Sequence, residues 1–240
     1  MSMRTIDPSG RPPTIDVVQR TARAKRSRSI TIAAVSVVSV AAIASGIALV
    51  LWGGGEVEEK YAPSTAHALG RSDAAVTVAV FADFQCPACR VFATTQEQEL
   101  IDDLVASGEV RLVFRHLAFI GEESVQAAEA SECAGDQGKF WEYHDKLYAN
   151  WDGENKGAFA DTNLVRFASE LNLNTTSFSS CLNTGKYAGL IEQEKTAASR
   201  LTVRATPTFF INGEKFQGIP TDYATLKQFI TQAKDVAASS

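Results

Sequence analysis

Cysteine and histidine are scarce in this chain of 240 residues, and their scarcity limits the metal sites that it can form. There are four cysteines and three histidines. A structural zinc site usually takes four such ligands, commonly as two closely spaced pairs. Cys86 and Cys89 form the one closely spaced pair, while His67, His116 and His144 show no metal-binding spacing. The sequence therefore predicts no bound metal.

The chain also has no excess of basic residues, with 23 Lys and Arg against 28 Asp and Glu and a net charge of −5. Residues 1–52 hold seven basic and two acidic side chains, a net of +5, and residues 53–240 hold 16 and 26, a net of −10. Contacts to nucleic-acid phosphates need a basic face. We therefore expect no nucleic-acid partner for the acidic part of the chain.

One long hydrophobic run stands between Ile30 and Trp52, with 23 residues and no charged side chain. As a helix it would measure about 34 Å, enough to cross a hydrocarbon core of about 30 Å. A cleaved signal peptide is the alternative, but its apolar region spans about 7–15 residues and ends near a small-residue cleavage site. The sequence favours an uncleaved single transmembrane helix that anchors the protein over residues 30–52.

The flanks of this run differ in charge, and the difference predicts its orientation. Basic residues crowd its amino-terminal side, whereas Glu56, Glu58 and Glu59 follow it. The positive-inside rule then places residues 1–29 in the cytoplasm, as a disordered tail too poor in apolar residues to fold. Residues 53–72 are predicted to be a linker. The folded domain is therefore expected outside the cytoplasm, at the cell membrane.

Residues 73–240 have the pattern of one α/β domain in the order β-α-β, helical block, β-β-α. Val76–Phe81 and Val110–Phe114 are short apolar runs that predict buried strands. A helix is predicted after the first strand, as far as about Ala106, and residues 122–204 are largely helical in pattern.

The carboxyl-terminal part of the domain carries a hairpin signal. Asn212-Gly213 suits a type I′ turn, because both residues tolerate the positive φ that this turn requires. The flanking strands are predicted over Thr208–Ile211 and Glu214–Phe216, and a last helix runs from about Asp222 to Val236.

The segment Cys86-Pro87-Ala88-Cys89 joins the first predicted strand to the helix that follows it. Pro is favoured in a first helical turn, where its missing N–H would have no partner. Cys86 then faces the positive end of the helix dipole, which favours its thiolate. Cys89, one turn later, can attack a mixed disulfide formed by Cys86. The placement predicts a redox-active pair in an oxidising compartment.

These residues resemble a known family. Phe81–Cys89 and Ala205–Gly213 are similar to the two motifs of the DsbA-like branch of the thioredoxin superfamily, and Gly138–Asp145 resembles that branch's helical insertion. The similarity covers roughly residues 73–236. It implies a thioredoxin fold with a helical insertion over about 120–204, and a protein thiol–disulfide oxidoreductase without a cofactor.

The resemblance also implies roles for individual residues. Cys86 would be the nucleophile and Cys89 the resolving thiol. Pro207 would be a cis-proline facing the pair, and the backbone of Thr206 would help to bind the substrate peptide.

One position departs from the pattern of thioredoxin-fold enzymes. Many of them have a buried acid six residues before the first cysteine, thought to relay protons to the resolving thiol. Here that position is Val80. The relay is either absent or supplied by another group, such as Asp83 or Glu97.

Cys133 and Cys181 lie in the helical block, 48 residues apart. They could be a second redox pair, two free buried thiols or a structural disulfide. A structural disulfide is favoured, because neither has a neighbouring cysteine.

His116, which follows a predicted strand, is interpreted as a structural histidine. A stripe of large, mostly aromatic side chains at helical spacing is interpreted as core and comprises Phe140, Trp141, His144, Leu147, Tyr148 and Trp151.

The leading hypothesis for the reaction is an oxidase that donates the Cys86–Cys89 disulfide to exported proteins with free thiols. A quinone-linked membrane partner of the DsbB or vitamin-K-epoxide-reductase type would re-oxidise it. With a Cys86 pKa of ~4.5, the reduction potential would lie between about −210 and −120 mV. The alternatives are a disulfide reductase or isomerase, a non-catalytic scaffold, and a copper metallochaperone. Copper(I) sites favour Cys, Met and His ligands, and the two methionines, Met1 and Met3, precede the predicted anchor and so lie apart from the folded domain, which argues against the metallochaperone.

Overall fold

A computed structural model describes residues 67–238 of the chain. The strands are β1 (Ala68–Leu69), β2 (Val76–Ala82), β3 (Val110–His116), β4 (Thr208–Ile211) and β5 (Glu214–Lys215). The helices are α1 (Pro87–Thr94), α2 (Gln96–Leu100, continued by a π-helical turn over Ile101–Val105), α3 (Glu122–Gly135), α4 (Phe140–Ala149), α5 (Asp161–Glu170), α6 (Thr175–Asn183), α7 (Ala188–Arg200) and α8 (Tyr223–Ala238). The predicted order of elements is confirmed.

The strands form one sheet in the order β1-β3-β2-β4-β5. β2 and β3 are parallel, as expected for strands joined by a helical crossover, and the other neighbours are antiparallel. In the β2–β4 pair, Phe81 lies opposite Thr208. The carboxyl end of β2, which leads to Cys86, therefore meets the beginning of β4, which follows Pro207.

The central strands are buried on both faces, which explains their nearly continuous apolar sequence. Side chains alternate along a strand, so Ala79 and Phe81 of β2 point to the same face. There they pack with Phe210 of β4 and with Ala198 of α7. The carboxyl-terminal helix α8 packs against β2 and α2.

The helical insertion consists of α3 to α7, between β3 and β4. α4 packs against α1 and against α3, so the insertion lies beside the helix that begins after Cys86. A disulfide between Cys133 and Cys181 joins α3 to α6. This is the pairing that the sequence favoured.

Several local features differ from the predictions. β2 ends one residue and β3 two residues later than predicted. The helix predicted to continue to about Ala106 is interrupted at Thr95, whose φ of −129° and ψ of −84° are not helical. The Thr95 hydroxyl donates to the carbonyl of Val91, and such bonding of Thr to the preceding turn competes with a regular helix. β1 lies in the segment predicted as a linker, because two residues paired with β3 are too short to leave a sequence signal. β5 is one residue shorter than predicted.

Within residues 67–238, no helix is both long enough and apolar enough to cross a membrane. The predicted cytoplasmic tail (1–29), the predicted anchor (30–52) and most of the predicted linker lie outside the described residues.

Candidate active site

The two closely spaced cysteines lie where β2 passes into α1. A turn over residues 83–86 ends β2, with the N–H of Cys86 donating to the carbonyl of Asp83 at 3.0 Å. Cys86 has an extended conformation, and Pro87 begins the helix. Both cysteines are thiols and both are buried, with exposed fractions of 7% for Cys86 and 1% for Cys89.

The surroundings of Cys86 stabilise its thiolate and lower its pKa to about 6. The largest cause is a hydrogen bond from the thiol of Cys89; burial opposes it. The Thr206 side chain and the N–H groups of Cys89 and Ala88 add to the lowering. The N–H groups belong to the first turn of α1, where backbone donors have no partner within the helix. The predicted acidity of Cys86 thus has a structural basis, although the value is higher than the ~4.5 supposed from sequence.

The surroundings of Cys89 have the opposite effect. Burial raises the pKa of its thiol well above the usual value, and the neighbouring Cys86 raises it further. At neutral pH the pair therefore holds one thiolate, on Cys86, and one thiol, on Cys89. Of the two sulfurs, Cys86 is therefore the more nucleophilic at neutral pH and the better leaving group, because both properties follow the thiolate form.

The second predicted motif, Ala205–Gly213, lies directly beside the first, which contains Cys86 and Cys89. The peptide bond between Thr206 and Pro207 is cis. The carbonyl oxygen of Thr206 lies 3.3 Å from Cys86 Sγ and accepts a hydrogen bond from its thiol. The Thr206 hydroxyl is buried and has no hydrogen-bond partner in the described part of the chain. It is thus available as a donor when the Cys86 proton leaves.

The two residues considered as a proton relay have different environments. The carboxylate of Asp83 accepts hydrogen bonds from several neighbours and ties the Cys86 turn to other segments. Glu97 is buried in α2, and its Oε1 lies 3.6 Å from Nε2 of His144, with neither atom hydrogen-bonded within residues 67–238. Of the two, Glu97 has the freer carboxylate oxygen. Val80 is buried in β2, so the usual position of the acid is apolar.

Glu97 and His144 form a buried ionisable pair. Burial raises the pKa of Glu97 to about 7, partly offset by His144. Burial opposes protonation of His144, but Glu97 and Asp145 outweigh it and raise its pKa. Tyr148 packs on the His144 ring, with centroids 4.9 Å apart, and its hydroxyl donates to the Asp83 carbonyl at 3.3 Å. His144, predicted as part of the core stripe of α4, thus forms a buried ionisable pair with Glu97 of α2.

A second buried cluster was missed by the sequence analysis. His67 Nε2 and His116 Nε2 both contact Oε1 of Glu132, the latter at 2.7 Å. Burial opposes ionisation of Glu132, but the hydrogen bonds from the two histidines outweigh it and lower its pKa to about 2. Spacing could not reveal the cluster, because the residues come from the segment before β1, from β3 and from α3.

Two groups of described residues could offer ligands to a metal ion. One is His67, His116 and Glu132, and the other is Glu97, His144 and Asp145. Two histidines with one carboxylate match the three protein ligands of some zinc sites. In the first group, however, the carboxylate already accepts hydrogen bonds from both imidazoles, which accounts for its burial without a metal.

Comparison with known proteins places this arrangement in a family. Residues 63–232 match the thioredoxin family. Disulfide bond formation protein D of Bacillus subtilis is 30% identical over 169 residues, which cover 68% of this chain and 74% of that protein. The crystal structure of oxidised BdbD from Bacillus subtilis has a TM-score of 0.66 and 26% identity, and the match covers 70% of this chain and 92% of that one.

Other relatives are much longer proteins. Na(+)/H(+) antiporter NhaA 3 of Salinispora tropica is 39% identical over 158 residues, which are 65% of this chain but 23% of the antiporter. The chain thus matches about a quarter of that protein's length, a region of the size of one domain. From the family match, the relatives of similar length and the fold, this chain belongs to the thioredoxin family, and within it to the DsbA-like thiol–disulfide oxidoreductases.

Proposed function

We propose that this protein is a membrane-anchored, extracytoplasmic oxidase that donates a Cys86–Cys89 disulfide to exported proteins. The observation that carries the proposal is the opposite acidity of the two thiols, with a pKa of about 6 for Cys86 and a strongly raised pKa for the buried Cys89. A disulfide that ends in an acidic thiol is readily given away, because the acidic sulfur is the better leaving group.

The proposed reaction starts from the oxidised pair. A client thiolate attacks Cys86 Sγ, the Cys86–Cys89 bond breaks, and Cys89 takes up a proton. A second client thiolate then attacks the client sulfur of the mixed disulfide, and Cys86 leaves as a thiolate. Two client thiols lose two electrons and become a disulfide, and the two electrons remain on Cys86 and Cys89. Thr206 and Pro207 border Cys86 and are proposed to bind the client's backbone beside it.

The acidity of Cys86 contributes to the direction of the reaction. At pH 7 a pKa of about 6 stabilises the reduced form by about 1 kcal/mol more than a pKa of about 7 would. This difference is about 20 mV for a two-electron couple, which moves thioredoxin's value of about −270 mV to about −250 mV. The supposed pKa of ~4.5 would have moved it to about −205 mV. A more oxidising potential therefore requires a further contribution from the oxidised form.

The reduction potential of the full-length protein tests the direction. The protein is equilibrated with glutathione buffers of known ratio, and the free thiols of Cys86 and Cys89 are counted after alkylation. We expect a value above about −250 mV and no higher than DsbA's value of about −120 mV. A potential below −250 mV would assign the protein to the alternative, a disulfide reductase or isomerase.

Membrane attachment is proposed on the apolar run 30–52 and its charged flanks. A similar domain within a Na(+)/H(+) antiporter gives a precedent for a thioredoxin-like domain attached to a membrane-embedded protein. Protease added outside intact cells is expected to digest the folded domain and to leave residues 1–29 protected. Protection of both parts would contradict this orientation.

Re-oxidation is proposed to occur through a quinone-linked membrane protein of the DsbB or vitamin-K-epoxide-reductase type. An enzyme that gives away its disulfide has to be recharged, and an anchor would hold it beside such a partner. Cells that lack every partner of this type should accumulate Cys86 and Cys89 as thiols. An unchanged oxidised fraction in those cells would rule this partner out.

A further inference from the structure

The turn that carries Cys86 is held by a single buried carboxylate. Asp83 directly follows β2, and its side chain is 2% exposed. Within the described part of the chain, its Oδ1 and Oδ2 accept hydrogen bonds from Gln85 N at 2.8 Å, Ser124 Oγ at 2.7 Å, Phe119 N at 2.9 Å and Ile120 N at 3.1 Å. These donors come from the turn itself, from α3 and from the segment after β3.

We propose that Asp83 is a positioning residue of this site: its carboxylate holds the Cys86 turn against the segment after β3 and keeps Cys86 Sγ over the first N–H groups of α1. The inference deepens the proposed function and rests on it for the chemistry of Cys86. Asp83 acts through Cys86 and is not itself required to contact a substrate.

A carboxylate suits this place because it only accepts hydrogen bonds. Phe119 N and Ile120 N both point at Oδ2, while Gln85 N and the Ser124 hydroxyl point at Oδ1. An asparagine has one acceptor oxygen and one donor NH₂ group. With the NH₂ at the place of Oδ2, Phe119 N and Ile120 N would lose their acceptor. With the NH₂ at the place of Oδ1, Gln85 N would lose its acceptor, although the Ser124 hydroxyl could turn to accept.

Gln85 connects the same turn to the insertion. Its side chain is fully buried, its Oε1 accepts from Asn155 N at 2.6 Å, and its Nε2 donates to Ser124 Oγ at 3.0 Å. Its backbone carbonyl accepts from Trp151 Nε1 at 2.8 Å. Ser124 is thus shared by Asp83 and Gln85. The polar groups of the turn are hydrogen-bonded to α3 and to the loop between α4 and α5, so the geometry of the turn depends on both.

Asp83 has two opposing effects on Cys86. Its negative charge disfavours a nearby thiolate, whereas its hydrogen bonds hold the turn in the geometry that stabilises that thiolate. Two titratable neighbours of the turn, Cys89 and Tyr148, stay uncharged at neutral pH, because burial raises the pKa of each well above its usual value. Glu97 and His144, which pack behind Tyr148, keep their own charges unchanged in all three variants. Removing the charge of Asp83 would lower the Cys86 pKa, and losing the geometry would raise it. The sign of the change therefore separates the two roles.

The test is a titration of the thiolate absorbance of the reduced full-length protein and of three variants. Asp83→Asn removes the charge and half of the acceptor capacity. Ser124→Ala removes the hydrogen bond from Ser124 to Asp83 and the one from Gln85 Nε2 to Ser124, and it leaves the charge of Asp83. Glu194→Gln is the matched control, since Glu194 is also a buried carboxylate and accepts from His116 N at 2.5 Å and from Arg115 Nε at 2.8 Å, neither of which is a partner of Asp83. Circular dichroism and urea unfolding report the folding of each variant.

We expect Asp83→Asn to raise the Cys86 pKa by about one unit, so that about tenfold less thiolate forms at pH values below the pKa. Ser124→Ala should raise it by less, and Glu194→Gln should leave it in place while lowering stability. A lower or unchanged Cys86 pKa in folded Asp83→Asn would overturn the inference. An equal rise in Glu194→Gln would also overturn it, because the effect would then be general destabilisation.

If Asp83→Asn does not fold, Ser124→Ala decides the question: a raised Cys86 pKa supports the inference, and an unchanged or lowered one overturns it. The unmodified protein separates this inference from the proposed function. A Cys86 pKa near the ordinary value of about 8.5 in that protein would contradict the proposed function itself. An acidic Cys86 that does not respond to Asp83 would contradict only the positioning role.

Discussion

The domain contains two cysteine pairs whose surroundings give them different chemistry. Cys86 and Cys89 are three residues apart at the beginning of a helix and lie beside the carbonyl of Thr206. Cys133 and Cys181 are 48 residues apart and join α3 to α6 as a buried disulfide. In the first region the thiol of Cys89, the Thr206 side chain and the first N–H groups of α1 stabilise a thiolate on Cys86, whereas in the second the two sulfurs are bonded to each other between helices. The hydrogen-bond donors around a cysteine, more than its burial, separate reactive from inert sulfur here.

The largest expected effect separates the two thiols of the first pair. Cys89→Ala should accumulate mixed disulfides between Cys86 and client proteins, because the resolving thiol is missing. Cys86→Ala should accumulate almost none, since the buried Cys89 stays protonated at neutral pH. Non-reducing gels of cell extracts measure the adducts. Similar amounts in both variants would contradict the division of roles between Cys86 and Cys89.

The second pair should affect stability and leave the redox chemistry in place. Replacing Cys133 and Cys181 together by Ser should lower the free energy of unfolding by about 4 kcal/mol, by the loop-closure entropy of the 48-residue separation. Urea unfolding measures this change, and the Cys86 pKa should stay at about 6.

Thiol counting in the unmodified protein is the companion measurement. Mild reductant should yield two free thiols, those of Cys86 and Cys89, because the other disulfide is buried. Four free thiols would show that the two pairs are not distinct in lability.

Two buried carboxylates, one in α2 and one next to Cys133, should make the free energy of unfolding depend on pH in opposite directions. Burial raises the folded-state pKa of Glu97 in α2 to about 7, so its contribution to stability is full below about pH 4.5 and lost as the pH rises through about 7. His144 acts in the same direction, because its pKa is raised too. The pKa of Glu132, next to Cys133, is lowered to about 2, so its contribution is full above about pH 4.5 and lost as the pH falls through about 2.

Each of the two carboxylates should change the free energy of unfolding by about 3 kcal/mol over its pH window. Glu97→Gln should flatten the decline between about pH 4.5 and 7, and Glu132→Gln should flatten the decline in acid. Chemical unfolding at a series of pH values measures both. The same pH profile in Glu97→Gln and in the unmodified protein would show that Glu97 does not titrate in this window.

The smallest expected effect concerns Thr206 and sharpens the description of the redox site. Thr206→Val keeps the shape of the side chain and removes a hydroxyl that can donate to the Cys86 thiolate. The Cys86 pKa should rise by about half a unit, the size of a modest hydrogen bond to a charged group. Thr208→Val, at the first residue of β4, is the matched control, because its hydroxyl donates to the Ala205 carbonyl instead. An equal rise in both variants would assign the effect to β4 and not to the Thr206 hydroxyl.

Local patterns were sufficient for much of the fold. β2, β3 and the hairpin were predicted within about two residues, because apolar runs and an Asn-Gly turn act over short stretches of chain. The interruption at Thr95 and the strand β1 were not predicted, since the first depends on competing side-chain hydrogen bonds and the second on a partner strand more than 40 residues away.

The sequence by itself determined the redox pair, since local structure alone brings together two cysteines around a proline at a helix start. Their unequal acidity also needs tertiary structure, because burial raises the pKa of Cys89 and Thr206 helps to lower that of Cys86. Tertiary structure decided which groups surround that pair. It brought the Thr206 carbonyl to Cys86, directed three donors from other segments at Asp83, paired Glu97 with His144, and gathered His67 and His116 on Glu132. These contacts join residues from separate elements, and packing rather than spacing creates them, because the burial of a polar group is favourable only where the folded chain supplies its partner.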